Sequence, residues 1–342
     1  MIQADYRASI IGLGKIGMMY DWDSVDKLPI THTSMYSQHP ATELISVMDY
    51  DVLKEQLLHS RFPDVTYCYS LNELLDTKPE IVSICTPPSV RLELLEVIFR
   101  CPSVKAILCE KPIAQVTNEA KYIRQIVQKS NILFVPNLSR RWNTGIRRLQ
   151  EIIKLELYGV VQKIHLRYTR GIWNTGSHLF DLIHYLVGKI TEVEVFQKIE
   201  TSSEKEGEPS FSFLFQLAEH AFGVAEAFDD RQYYMFEMDI YLSQGKISIL
   251  TSGDEIRIYG ISKHPLFDGY SSLVLVEQKQ NLLSESHLMN ACNEIVSVIQ
   301  GEGTIQPSCT IDDAIYPLLV GDALMKSYES GGIKVKVGEL DD

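Results

Sequence analysis

Along the first part of the chain, short apolar runs alternate with stretches whose apolar residues recur every three or four positions. The runs cover residues 9–13, 44–48, 81–85, 106–109 and 133–136; the periodic stretches include 52–60, 71–77 and 89–100. Strands alternating with helices in this way predict a doubly wound parallel sheet with helices on both faces, an α/β Rossmann arrangement. From residue 160 to about 261 the pattern changes to longer alternating segments, at 160–170, 192–199, 210–217, 223–228, 236–242 and 245–250. That change predicts a second, α+β domain. The polar stretch 202–210 reads as an exposed turn, and 286–330 as helices that pack back toward the first domain. No internal repeat or low-complexity tract interrupts the pattern.

A length of 342 residues suits two domains, each large enough for its own core. The expected division is a dinucleotide-binding domain over 1–135 and a substrate-binding and oligomerisation domain over 136–342. Hydrophobic content of 45% and charged content of 23% are ordinary for a globular protein. The formal charge of −13 argues against broad binding to nucleic acid or anionic membrane. It also means that an anionic cofactor has to be held by local donors. No apolar run approaches membrane-spanning length and the N-terminus lacks a basic-then-apolar signal, so the expected location is cytoplasmic. The six cysteines show no C-x-x-C pair, and several sit in strand-like runs as small hydrophobes, so neither metal nor disulfide is expected.

Two motifs carry chemistry. Gly12-Leu13-Gly14-Lys15-Ile16-Gly17 follows an apolar run and opens a helical stretch, the context in which G-x-G-x-x-G holds a dinucleotide pyrophosphate. Side chains there would block the tight turn and keep phosphates from the N–H groups of the helix N-terminus. The second strand then ends in Asp49. An acidic residue at that point bonds the adenosine ribose hydroxyls and repels a 2′-phosphate, favouring NAD over NADP; a turn-capping aspartate is the alternative. The second motif, Glu110-Lys111-Pro112, ends another apolar run and places a lysine beside the nucleotide crevice.

Together with Ile81-Val82-Ser83-Ile84-Cys85-Thr86-Pro87, Arg140-Arg141-Trp142, Gly176-Ser177-His178-Leu179-Phe180-Asp181 and Leu186-Val187-Gly188, these motifs resemble the Gfo/Idh/MocA family of NAD(P)-dependent oxidoreductases over nearly the whole chain. The resemblance implies an open, mainly antiparallel sheet in the second domain, and a dehydrogenase or ketoreductase acting on a sugar, with a nucleotide- or phospho-sugar expected. It implies assembly as a homodimer or homotetramer. It gives the cofactor to Gly12, Gly14, Lys15, Ile16, Gly17, Asp49, Thr86, Pro87, Glu110 and Lys111, with Lys111–Pro112 a cis bond. Lys111 becomes the cation that stabilises alkoxide character, and His178 the acid/base; imidazole suits that task because its reference pKa of about 6.5 lies near neutrality.

Several positions stand apart after that comparison. Asn174, four before His178, occupies a place where the family most often has aspartate, and it cannot stabilise an imidazolium as a carboxylate would. Arg91 stands where the family commonly has histidine. Asp181 shares a helix face with His178 and Tyr185, and Ser177 is a candidate N-cap. Arg141 and Arg170 are candidates for a substrate phosphate or carboxylate. Residues 18–29 are extra relative to the family, either covering the nicotinamide or forming a plain surface insertion. Two other functions fit the resemblance: an NAD-assisted glycosidase, and a non-catalytic sensor of NAD or sugar.

Overall fold

The computed structural model of the chain describes residues 5–23, 28–202, 207–218, 221–301 and 306–340. Packing divides the chain into two compact units, one of Met1–Trp142 with Ser286–Ile315 and one of Asn143–Glu285 with Tyr316–Asp342.

The first unit is built on six strands: β1 (Tyr6–Ile11), β2 (Thr42–Met48), β3 (Thr66–Cys68), β4 (Ile81–Ile84), β5 (Ala106–Glu110) and β6 (Leu133–Asn137), paired in the order β3-β2-β1-β4-β5-β6. Every pairing is parallel. β4 and β5 are buried along their whole length, which explains why they read as unbroken apolar runs and not as alternating ones. Between the strands lie α1 (His32–Gln38), α2 (Leu53–Arg61), α3 (Leu71–Asp76), α4 (Arg91–Ile98) and α5 (Thr117–Gln128). Two starts are set by local chemistry. The Thr31 hydroxyl accepts from Ser34 N, and Ser70 caps α3 by accepting from Glu73 N, while the Glu73 carboxylate accepts from Tyr69 N just before the cap. The short strand β3 was not expected from the sequence; three residues carry too little period to be recognised.

The second unit opens with α6 (Thr144–Lys154), whose Asn143 cap accepts from Gly145 N and Ile146 N. β7 (Val161–Tyr168) and α7 (Ser177–Leu186) follow. Then come β8 (Ile190–Ile199), β9 (Ser210–Leu217), β10 (Phe222–Ala227), β11 (Phe236–Leu242), β12 (Gly245–Leu250), β13 (Glu255–Lys263) and β14 (Ser271–Gln280). α8 (His287–Gln300) lies in the first unit, α9 (Ile311–Glu329) is followed by β15 (Val335–Lys336). Nine strands pair in the order β14-β13-β12-β11-β7-β10-β9-β8-β15, all antiparallel except β7 with β10. The mainly antiparallel sheet implied by the family resemblance is therefore present, and it extends past residue 250 through β13 and β14.

One face of that sheet packs on α6, α7 and the later part of α9, through Ile146, Leu149, Leu179, Leu182, Ile183, Val320 and Leu324. Alternation puts charged side chains on other positions of the same strands. Arg167 pairs with Glu237 and Asp239 at 3.0 Å each, and Lys246 with Asp239 at 2.8 Å.

Candidate active site

In the first unit the candidate cofactor residues gather at the carboxyl ends of β1, β2, β4 and β5, where open parallel sheets bind ligands. Gly12 has φ +97°, and a Cβ there would lie 2.9 Å from the Cys85 carbonyl carbon and 3.0 Å from Thr86 N. At Gly17 a Cβ would lie 2.1 Å from the Gly12 oxygen. Both glycines are therefore required by backbone packing. Gly14 is different: a Cβ would meet nothing within 4 Å, so its surroundings are open. It precedes a wide helical turn, Lys15–Met19, that no side chain caps. That turn offers N–H groups to an anion, which is the cradle a pyrophosphate needs. The Thr86 hydroxyl is buried without a hydrogen-bond partner among the described residues. An orphaned hydroxyl of this kind at the end of β4 fits a bound polar group.

Asp49, at the end of β2, does more than the sequence implied. Its carboxylate accepts from Leu13 N at 2.6 Å, from Asp51 N at 2.9 Å and from Lys54 Nζ at 2.8 Å, so it ties the glycine loop to the start of α2. Burial alone would raise its pKa. The Lys54 ammonium and the two N–H donors outweigh burial and hold the carboxyl below its ordinary 3.8.

Beneath Lys111 lies a buried polar network. His32 on α1 reaches Ser83 Oγ with Nδ1 (2.8 Å) and Glu110 Oε1 with Nε2 (3.0 Å). Asn137 Nδ2 donates to the same Glu110 oxygen at 2.5 Å, and the Tyr36 hydroxyl lies 2.8 Å from Ser83 Oγ. Burial pulls the Glu110 pKa up, but the His32 hydrogen bond and charge, Asn137 and the Arg91 guanidinium together hold it below its ordinary 4.5. Glu110 is thus a fixed carboxylate directly before Lys111, and the Lys111–Pro112 bond is cis. Lys111 itself is half-buried.

Arg91 sits 3% exposed at the start of α4. Its guanidinium donates to the carbonyls of Thr86, Glu110 and Pro112, the Thr86 bond through Nε at 3.0 Å. The residue that stood out only as a departure is a clamp between the ends of β4 and β5. Arg141 is likewise buried. It donates to Ser308 O at 2.9 Å and pairs with Asp313 at 3.0 Å, so its guanidinium is committed to the interior of the first unit. In the 18–29 segment, Asp21 is 2% exposed and accepts from Thr31 Oγ1 (2.8 Å), Thr31 N and Ile30 N, which ties the segment back to α1. Residues 24–27 lie outside the described residues.

In the second unit the candidate residues share one continuous stretch. Two residues past the end of β7 comes Arg170, left-handed at φ 66°, and Gly171 follows at φ +74°. A wide helical turn, Gly171–Gly176, carries Asn174 and runs into α7 with His178 and Asp181. His178 is half-buried, whereas Asp181 is 1% exposed, on the buried side of the helix. Ser177 is the first residue of α7 and not its cap. Its hydroxyl donates to Asn174 O at 2.8 Å. The His184 ring packs on Tyr316 with centroids 4.5 Å apart, a structural position.

One residue of this region was missed entirely. Glu208 Oε2 accepts from Trp173 N and from Asn174 N, both at 3.1 Å, and Pro209 O accepts from Ile172 N at 2.9 Å. A Cβ on Gly171 would lie 2.6 Å from that Glu208 oxygen, so the glycine makes room for the carboxylate. The stretch 202–210 reads as an exposed turn, yet its end fastens the segment leading to His178. Only a carboxylate near a helix start hints at this, and no spacing rule links positions 34 residues apart.

The description "oxidoreductase family, NAD-binding Rossmann fold" belongs to the family model that matches residues 6–137, and the Gfo/Idh/MocA C-terminal domain model matches residues 168–248. D-glucoside 3-dehydrogenase of Escherichia coli is 22% identical over 365 residues, covering 97% of this chain and 97% of that protein. Two uncharacterized oxidoreductases of Schizosaccharomyces pombe are 22% and 24% identical, and the chain spans 56% of the length of each. Among solved structures, levoglucosan dehydrogenase in complex with NADH and L-sorbose superposes with a TM-score of 0.77 at 15% identity, covering 98% of this chain and 100% of that one. Gal80p of Saccharomyces cerevisiae, as a super-repressor mutant, gives 0.80 at 14% identity, with 99% and 100% covered. At such identities these structures speak for the fold alone. With both of its domains matched, the chain belongs to the Gfo/Idh/MocA oxidoreductase family, and its first unit is an NAD-binding Rossmann domain.

Proposed function

We propose that this protein is an NAD-dependent dehydrogenase that oxidises a hydroxyl of a sugar, or reduces the corresponding ketone. The observation that carries the reading is Lys111, set at the end of β5 after a fixed Glu110 carboxylate and on the same strand-end crevice as the glycine cradle. Bound NAD supplies the hydride acceptor. Gly12, Gly14 and Gly17 shape the loop that receives the pyrophosphate, and Thr86 with Pro87 lines the nicotinamide-ribose side. Asp49 keeps lone-pair capacity beyond its three donors, enough for a ribose hydroxyl.

On the protein's side, His178 takes the hydroxyl proton as the carbon is oxidised, and the Lys111 ammonium stabilises the negative charge that develops on oxygen. Asn174 orients the substrate or the imidazole by hydrogen bonding, with Glu208 holding its backbone. A nucleotide- or phospho-sugar requires cations for its phosphates, and with Arg141 committed to Asp313, Arg170 is the candidate that remains. The relatives act on glucosides and levoglucosan by name, which supports a sugar as the substrate class.

The test is NADH formation at 340 nm over a panel of free sugars, glycosides, phospho-sugars and nucleotide-sugars, with NAD and NADP as alternatives. Turnover of at least one sugar that disappears in Lys111→Ala is the expected result. Retained NAD binding with no turnover on any of them would favour the sensor reading. Sugar cleavage without net NADH would favour the glycosidase.

A further inference from the structure

β7 and β10 run parallel, so both finish at the same end of the second sheet's strands, and β11 begins there, with Phe236 opposite Tyr168. Thr169 and Met235 join the two strand ends: Thr169 N donates to Met235 O at 3.1 Å, and Met235 N to Thr169 Oγ1 at 2.9 Å. Beside that junction is a cavity of about 380 Å³ lined by Arg170 and by the β10–β11 connection, Asp230, Arg231, Gln232, Tyr233 and Tyr234. Two large aromatic side chains are left open to solvent here, Tyr233 at 55% and Tyr234 at 40% exposure. Arg170 adopts a left-handed backbone that a non-glycine residue rarely holds, a kind of strain that concentrates at ligand sites.

We propose that this cavity is a subsite for a second, uncharged ring joined to the sugar being oxidised, so that the preferred substrate is a glycoside. The proposal rests on the dehydrogenase reading for its reaction, and on the cavity for its specificity. Tyrosine faces and edges suit a ring with an apolar face, and the Gln232 amide, Asp230 and the Arg170 guanidinium suit its hydroxyl rim. Asp230 is already oriented, accepting from Ser202 N and Ser202 Oγ at 2.8 Å each. Charge decides against a diphosphate. Arg231 is answered by Asp229 at 2.7 Å, and Arg170 and Arg231 are balanced by Asp229 and Asp230, leaving no net positive charge among the described residues around the cavity. Position fits as well. Arg170 precedes His178 by eight residues of one stretch of the second unit, with the wide turn Gly171–Gly176 leading from it into the start of α7.

The experiment compares a monosaccharide, a disaccharide carrying the same reacting ring, and the matching nucleotide-sugar, using wild type and Tyr233→Ala. Rates come from NADH formation, and affinities from calorimetric titration of the NADH-loaded protein. The disaccharide should exceed the monosaccharide in kcat/KM by about tenfold, the scale of one half-buried aromatic contact. Tyr233→Ala should remove most of that advantage through KM, with a matching loss in Kd. An equal loss on both sugars, no disaccharide advantage, or a preferred nucleotide-sugar would each overturn the subsite. If no sugar is oxidised but the disaccharide still binds in a Tyr233-dependent way, the subsite stands and the dehydrogenase reading falls.

Discussion

The crevice of the first unit and the helical stretch of the second are built on opposite principles. Around Glu110, the polar groups are buried and answered by one another: His32, Ser83, Tyr36 and Asn137 form one network, and Arg91 bridges the adjoining strand ends. Along 170–178 the backbone bends through two left-handed residues; Ile172 is buried in the core, and Glu208 and Pro209 accept from the N–H groups of 172–174, while Asn174 and His178 stay half-buried. A buried network must be satisfied throughout or it costs more than an apolar core, so it is rigid and intolerant of change. Half-buried side chains such as Asn174 and His178 can change at lower cost to the unit than members of a fully buried network. That contrast suits a cofactor that is constant and a substrate that differs among proteins sharing the fold.

Removing the proposed acid/base breaks the comparison most sharply. His178→Ala should lower kcat by about 10²–10⁴-fold while leaving NADH binding intact, since the residue lies outside the cofactor unit. A variant of normal rate sinks the assignment. Lys111→Ala should lose roughly 10²-fold or more in kcat; a raised KM with kcat unchanged would instead show uniform substrate binding.

Next come the two fastening carboxylates. Glu110→Ala strands His32 Nε2 and Asn137 Nδ2, and should destabilise the first unit by about 2–5 kcal/mol in a urea titration. Because the folded pKa of Glu110 lies below 4.5, its stabilisation is complete above that value and fades as pH falls through the lower, folded one. The stability gap between wild type and variant should therefore be constant near pH 7 and shrink in acid. Glu208→Ala should behave oppositely, costing kcat more than stability, because it frees the turn before His178 and strands only two half-buried N–H groups. A stability loss as large as that of Glu110→Ala would erase the distinction.

Cofactor choice is a smaller effect. Asp49→Ser should weaken the preference for NAD, and with Lys54 left unpaired beside the ribose site it should gain affinity for NADPH in fluorescence titrations. Equal affinities in the wild type would overturn Asp49 as the discriminator. Smallest of all is Asn174→Asp, whose carboxylate should favour the charged imidazole and move the rising limb of the pH–rate profile upward by up to about one unit. Superimposable profiles would separate position 174 from His178.

Much of this was legible in the chain. The strands that lead into Gly12, Asp49, Thr86 and Lys111 declared themselves as apolar runs because a parallel sheet is buried on both faces, and the glycine spacing identified the loop they surround. His178 was singled out through the family resemblance, and the helix start and apolar stripe around it, which are local information, gave only the setting. Arg91 and Glu208 were legible only as an oddity and as part of a polar turn.

The sequence by itself determined the elements, their order and the residues with chemistry to offer, since propensity, period and turn geometry act over a few residues. Tertiary structure alone decided which charges are spent. His32 meets Glu110 across 78 positions, Arg141 turns inward to Asp313, Asp49 is shared with Lys54, and Glu208 closes on Asn174 from 34 positions away. Desolvation makes an unanswered buried charge costly, so each finds a partner wherever the fold brings one, and nothing in local spacing records that choice.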